Sequence, residues 1–333
     1  MVTLKMLAEE TGLSIAAVSK ALNHQPGVSA KNAERVREAA RRMNYFPNGA
    51  AQTLKTSRSY NIGIVYQNNL DHEYFSRMLS AVRIACDRAG YDLTFLSSRG
   101  IADYGYAAHA MRRNCDGVIV MQGNIDQDDL ERLGQGPLPV VSVDRAFEGR
   151  TSVWSENTSS MGEIVEYVAS RGHTRIAFVH GEVGEVTAER IAAFKSACSA
   201  RGIAIPEEYL YEAKFQEPEL TAQAVRELMN LPEPPTCILF PDDISATGGL
   251  SELEREGVSV PGDVSCFGYD GVRMASLLHP RLTTYRQDAE EIGTKAAEEL
   301  FRAIEQGKSY KPLKIVIPGA IQEGNTVRDI SAR

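Results

Sequence analysis

The sequence predicts an α/β protein in which a small all-helical head precedes a larger body of parallel α/β sheets. Three observations predict it. Before residue 46, apolar residues recur at helical spacing in three short stretches. From residue 60 onward, short apolar runs alternate with helical patterns, the order expected of parallel strands with right-handed crossovers. Charge is also unevenly divided: residues 1–58 carry nine Lys and Arg against four Glu, a balance of +5 in a chain of total −8, which leaves −13 on the rest. A chain of 333 residues is long enough for two or three domains.

In the head, Leu4, Leu7 and Ala8 mark a first helix that ends at Thr11-Gly12. Ser14 suits the N-cap of a second, with Val18 and Leu22 on one face, and Ser29 that of a third, striped by Ala33, Val36, Ala40 and Met43. "TGLS" between the first two is the tight glycine-containing link of a helix-turn-helix. In that motif the start of the second helix faces base edges in the major groove, which puts Ile15, Ala16 and Lys20 there. A basic head on an acidic body is the charge layout of a tethered nucleic-acid reader. The stretch "NYFPNGAAQTLKTSRS" (44–59) reads as a marginal helix opened by Pro47, weakened by Gly49, with Leu54 exposed.

In the body, strands are expected at Ile62–Tyr66, Leu93–Leu96, Gly117–Met121, Val140–Val143, Ile176–His180, Ile238–Phe240 and Ser265–Tyr269. Helical patterns between them include Phe75–Arg88, Met161–Arg171, Glu189–Arg201 and Ala222–Leu231. Ligands of such sheets bind at the C-terminal strand edges. There is no GxxxxGK phosphate loop, no GxGxxG, no GxSxG elbow and no favoured Ser-His-Asp spacing, so nothing argues for an enzyme. His173, closing a helix before a strand, reads as structural. Cys86, Cys115, Cys198, Cys237 and Cys266 are scattered through apolar runs without CxxC pairs and read as small buried hydrophobes, so neither a metal nor a cofactor is expected. No run of 18 apolar residues and no signal-like N-terminus occurs, which predicts no membrane contact and a cytoplasmic location.

The head resembles the DNA-binding head of the lactose/galactose repressor family nearly end to end, through "VSKALN", "VSAKNAERV", "MNYFPN" and "AAQTL". The resemblance implies a DNA-binding domain over 1–46 and a hinge helix and linker over 47–59. In that family the hinge folds when paired with its dimer mate on operator DNA and wedges a leucine into the minor groove, and Leu54 matches that leucine. It implies DNA contacts from Ser14, Ile15, Ala16, Ser19, Lys20, Asn23, Ser29, Tyr45, Asn48, Ala51, Leu54 and Lys55. Ile15 and Ala16 depart from the hydrogen-bonding residues of many relatives. They can touch a thymine methyl but make no bidentate base contact.

The same resemblance runs through the body in "CDGVIV", "PVVSVDR", "RGHTRIAFVHG", "PDDISATGGL", "VPGDVSCFGYD" and "PRLTTYRQD". It implies an effector-binding and dimerisation domain over 60–333, like periplasmic sugar-binding proteins. Lobe 1 would cover about 60–157 and 289–319, lobe 2 about 158–287 and 320–333, with crossings near 156–158, 286–289 and 319–321. By position it implies effector contacts from Tyr74, Phe75, Asp144, Arg145, Arg190, Phe215, Asp242, Asp270 and Gln287. Asp242 stands where the family has asparagine, and Gly271 replaces a second acid after Asp270. Carboxylates, a guanidinium and an aromatic face suit a polyhydroxylated ligand. Asp71 and Trp154 fall near the cleft by position but are not counted as contacts.

These residues lead to the expectation of a dimeric, ligand-controlled transcription regulator, a repressor of carbohydrate-use genes that binds a palindromic operator. The tail "GAIQEGNTVRDISAR" lacks the leucine heptads that make some relatives tetramers. Two alternatives stay open: a regulator answering to a nucleobase or other corepressor, and a cytoplasmic ligand-binding or enzymatic protein whose helical head is an interaction module.

Overall fold

The computed structural model describes residues 2–23, 25–46, 58–66, 72–97, 105–121 and 127–331. The chain divides into a head, Met1–Ser59, and a body, Tyr60–Arg333.

Among the described residues, three helices build the head: α1 (Leu4–Thr11), α2 (Ile15–Leu22) and α3 (Ala30–Arg42). Each begins at a hydroxyl cap: Thr3 accepts from the Met6 amide, Ser14 from Ala17 and Ser29 from Asn32. These bonds satisfy donors that have no partner within the helix. Gly12 ends α1 with φ +62°, a left-handed conformation that a side chain would strain, and so turns the chain into α2. Leu7, Val18 and Val36, one from each helix, are fully buried against Ala8, Ala21, Ala39 and Ala40. Each large side chain so buried contributes about 1.5–3 kcal/mol. The three interlocked apolar stripes fix the angle at which α2 is presented.

The body has two sheets. The first runs in the order β11 (Lys314–Ile317), β5 (Thr151–Ser155), β4 (Val140–Val143), β3 (Gly117–Val120), β1 (Asn61–Val65), β2 (Asp92–Leu96), all neighbours parallel. The second runs β12 (Ala320–Gln322), β10 (Thr283–Arg286), β9 (Ser265–Asp270), β8 (Cys237–Leu239), β6 (Ile176–His180), β7 (Leu210–Glu212), parallel except for the β10–β12 pair at the edge. Central strands such as "GVIV" and "IAFVH" are buried throughout, because helices cover both faces. On the first sheet lie α4 (Glu73–Ala89), α5 (Gly105–Arg112), α6 (Gln127–Gln135) and α11 (Ala289–Gln306). On the second lie α7 (Asn157–Ala169), α8 (Glu185–Ser199), α9 (Pro218–Met229) and α10 (Asp243–Arg255).

The chain passes from lobe 1 to lobe 2 between Ser155 and Asn157, returns between Arg286 and Ala289, and crosses again between Ile317 and Ala320. One helix pair packs unusually close. A Cβ on Gly248 of α10 would stand 1.9 Å from the Pro218 carbonyl of α9, so only glycine permits that approach. All five cysteines are free and buried. His173 is held at both ring nitrogens, by Thr236 Oγ1 and the Arg328 carbonyl, each at 3.0 Å, which ties the tail to lobe 2.

Candidate functional sites

Along α2, Ile15, Ala16, Ser19, Lys20 and Asn23 fall on one helical face, exposed or half-buried. Ile15 keeps about half its surface, 49 %, in solvent. Such a residue on a helix whose other face is core is available for contact. Asn23 donates to the Ser19 carbonyl at 2.8 Å, which pins it at the end of that face. Ser14 and Ser29 are exposed but use their hydroxyl oxygens as helix caps, and Tyr45 packs against the head core. Asn48, Ala51, Leu54 and Lys55 lie outside the described residues.

The body holds a cleft of about 410 Å³ at the C-terminal ends of the parallel strands, lined from both lobes. All nine residues expected there line it. From lobe 1, the segment after β1 supplies Tyr74 and Phe75, and the turn after β4 supplies Asp144 and Arg145. Asp144 adopts φ +51°, and its Oδ1 accepts from the Ser155 amide at 2.9 Å. Burial pushes its carboxyl above the ordinary range, against the Ser155 N–H and Arg190. The Tyr74 hydroxyl lies 3.2 Å from Ser155 Oγ, and burial raises it too.

From lobe 2 come Arg190, Phe215, Asp242, Asp270 and, at the crossing, Gln287. Arg190 is buried, donates from Nε to Asn157 Oδ1 at 2.9 Å, and lies 3.6 Å above the Tyr269 ring. Phe215 is seated against Gly181, where a Cβ would fall 2.2 Å from its ring. Asp242 lines the cleft and also serves the fold. Its carboxylate caps α10, accepting from the Ser245 amide and hydroxyl at 2.7 and 2.8 Å and from the Gln216 amide at 2.9 Å. An aspartate is a strong N-cap, so the departure from asparagine preserves that local chemistry. Asp270 accepts from Gln287 Nε2 at 2.5 Å, and burial pushes its carboxyl up to about 6, with His72 opposing.

Sequence reasoning missed His72. Its ring is buried on lobe 1, with Nε2 3.6 Å from Asp270 Oδ2 on lobe 2. It directly precedes Glu73, Tyr74 and Phe75 in "DHEYF", where an N-cap position next to ligand-facing aromatics was the available signal. Thr187 and Glu185 at the start of α8, and Glu182 before it, also line the cleft. Trp154 does not; it is buried on β5 with Lys314 Nζ 4.7 Å from its ring. Asp71 is outside the described residues. Four buried polar atoms in the cleft, His72 Nδ1 and Nε2, Thr187 Oγ1 and Gln287 Oε1, have no hydrogen-bond partner among the described residues. Such groups are costly unless something fills the space between them.

Other contacts hold the lobes together around the cleft. Both Glu73 carboxylate oxygens accept from the Arg273 amide at 2.8 Å, and Lys314 Nζ lies 3.8 Å from Glu189 Oε1. No group of three or more His, Cys, Asp or Glu among the described residues is arranged to hold a metal, and no described helix is long and apolar enough to cross a membrane.

Comparison with known proteins places both parts of the chain. Residues 3–48 match the model for bacterial regulatory proteins of the lacI family, and residues 165–327 that for a periplasmic binding protein-like domain. The HTH-type transcriptional repressor PurR of Histophilus somni is 29 % identical over 322 residues, covering 95 % of this chain and 96 % of its own. The lac repressor dimer bound to operator and the anti-inducer ONPF shares the fold at TM-score 0.85 and 24 % identity, over 98 % of this chain and 99 % of that one. The CelR–cellobiose complex matches at TM-score 0.72 and 23 % identity, over 98 % of this chain and all of that one. With a helix-turn-helix head, a two-lobed ligand-binding body and relatives that are transcriptional repressors rather than enzymes, the chain belongs to the lacI family of bacterial regulatory proteins.

Proposed function

We propose that this protein is a cytoplasmic repressor of carbohydrate-use genes, which holds an approximately palindromic operator as a dimer and changes its grip when a small molecule enters the cleft. One observation carries the reading. The buried polar atoms of the cleft left without partners among the described residues come from both lobes, His72 from one and Thr187 and Gln287 from the other or its crossing. A ligand that bonds to both lobes favours one mutual placement of them over the rest, and that differential affinity is what drives a conformational switch. Lobe 1 continues in sequence from the head and linker, so its placement is the output.

Carboxylates, Arg190 and the Phe215 face support a carbohydrate as ligand. The proposed DNA contacts are the exposed face of α2 with Leu54 as wedge, and the proposed boundaries remain head 1–46, hinge 47–59 and body 60–333. A nucleobase corepressor is the second reading, favoured by aromatic rings on both walls of the cleft: Tyr74, Phe75 and His72 from one, Phe215 from the other.

A thermal-shift screen against sugars and nucleobases, repeated on Phe215→Ala, tests the reading. Ligand binding to the native state raises the unfolding midpoint. The expected result is a shift with the natural protein that shrinks in the variant. A shift of equal size in both would place the ligand elsewhere.

A further inference from the structure

The charge inside the cleft limits what it accepts. Five carboxylates line it, Asp144, Glu182, Glu185, Asp242 and Asp270, against two guanidinium groups, Arg145 and Arg190. Both guanidinium groups are already partly engaged within the fold. Arg190 donates to Asn157 Oδ1 at 2.9 Å and to the Pro241 carbonyl at 3.4 Å, and lies against the Tyr269 ring. Arg145 is buried, already engaged in the fold, with its guanidinium 5.8 Å from the Phe147 ring centre. Behind the cleft a further acid, Asp243, is fully buried and bonded to Thr284 Oγ1 and the Val272 amide.

One unpartnered atom points the same way. At one corner, Gln287 Oε1 is a buried acceptor without a donor among the described residues, beside the Asp270 carboxylate and the His72 ring. The imidazole has an N–H to donate, but the carboxylate and amide oxygens beside it only accept. This corner therefore calls for donors. A hydroxyl, an amino group or a ring N–H supplies them; a carboxylate or phosphate supplies none and adds like charge in a low-dielectric space. The raised carboxyl of Asp270, at about 6, and the upward push on Asp144 are consistent with a dry, already negative cavity.

We propose that the effector is a donor-rich molecule without an acidic group, and that the cleft rejects carboxylated and phosphorylated versions of the same skeleton. The proposal rests on the cleft being the effector site. The specificity device is the excess of carboxylates together with the acceptor oxygens of Asp270 and Gln287. An acidic group held about 5 Å from an uncompensated carboxylate loses roughly a hundredfold in affinity or more.

The test is a thermal-shift and calorimetric titration of the full chain at pH 7.5, where Asp270 is ionised, with matched sets. Glucose, glucosamine, glucuronate and glucose 6-phosphate form one set; ribose and ribose 5-phosphate a second; adenine, guanine and hypoxanthine with their 5′-monophosphates a third. The small-molecule pool of a bacterial extract, divided by anion-exchange resin into retained and unretained fractions, is titrated alongside. The expected result is that every stabilising compound or fraction lacks an acidic group, with acidic counterparts at least about a hundredfold weaker. An acidic member that binds more tightly than its neutral counterpart, or activity confined to the retained fraction, overturns the proposal. Binding by an unretained compound that persists undiminished in Phe215→Ala, or no stabilisation by any compound or fraction, overturns instead the assignment of the cleft as effector site, and the proposal with it.

Discussion

Replacing Arg190 by alanine tests how the cleft is held. The side chain is 5 % exposed, so its interactions are made in a dry setting. Its Nε bond to Asn157, from a charged donor, contributes about 1.5–3 kcal/mol. The contact with Tyr269 at 3.6 Å adds about 1–2 kcal/mol when desolvated. The 3.4 Å approach to the Pro241 carbonyl is too long to add much. A loss of about 3–4 kcal/mol is thus expected, a large part of the roughly 5–15 kcal/mol that holds a domain folded.

The loss has a pH signature. Asp270 titrates at about 6 in the folded state, above its ordinary value, so its contribution to stability is full below about pH 4 and is lost as pH rises through 6. Arg190 lowers the carboxyls of both Asp270 and Asp144, and without it both rise further. The variant therefore loses more stability than the natural protein as these acids ionise, and the gap between them widens from pH 5 to pH 8. Urea unfolding followed by the fluorescence of Trp154, the only tryptophan, measures the gap at both pH values. A gap below about 1 kcal/mol at pH 8, or one equal at both, would refute the reasoning. Ligand response should disappear in the variant, while DNA binding at neutral pH stays near that of the natural protein.

Gly181→Ala should displace Phe215, because the added Cβ would meet its ring at 2.2 Å; ligand affinity is expected to fall roughly tenfold by calorimetry as the aromatic contact is lost. Leu54→Ala should weaken binding to a specific duplex more than to random DNA, since a wedge acts only where the duplex is kinked; an unchanged ratio in anisotropy titrations would make 47–59 a plain linker. Sedimentation should show a dimer, because an approximately palindromic operator is matched by a two-fold pair of heads; a monomer that persists at micromolar concentration would contradict this.

Apolar patterning made the central strands legible, since β1, β3, β4, β6, β8 and β9 are short runs buried on both faces. The strands that escaped lie at edges or crossings. β5 is "TSVWS", whose serines and threonine serve bonds such as Ser155 N–H to Asp144, and β7 and β12 are three-residue edge strands. Their burial depends on tertiary neighbours rather than on local hydrophobicity. In the cleft, the family resemblance was enough to place Arg190, Phe215 and Asp270 on one lining. It was not enough to show that Asp242 is engaged as a helix cap or that His72 faces Asp270 across the lobes. Both facts depend on where backbone amides and the opposite lobe fall, which sequence spacing does not encode.

The central claim is that one chain reads DNA through its head and is switched through its cleft. Selection of duplexes from a random pool by the full chain, followed by titration of the selected duplex with and without a compound that stabilises the protein, measures both halves at once. The expected result is an approximately palindromic duplex whose affinity falls steeply with salt, as phosphate contacts require, and changes at least tenfold when the cleft is occupied. Enrichment of no duplex, or a selected duplex whose affinity is indifferent to the bound compound, would contradict it.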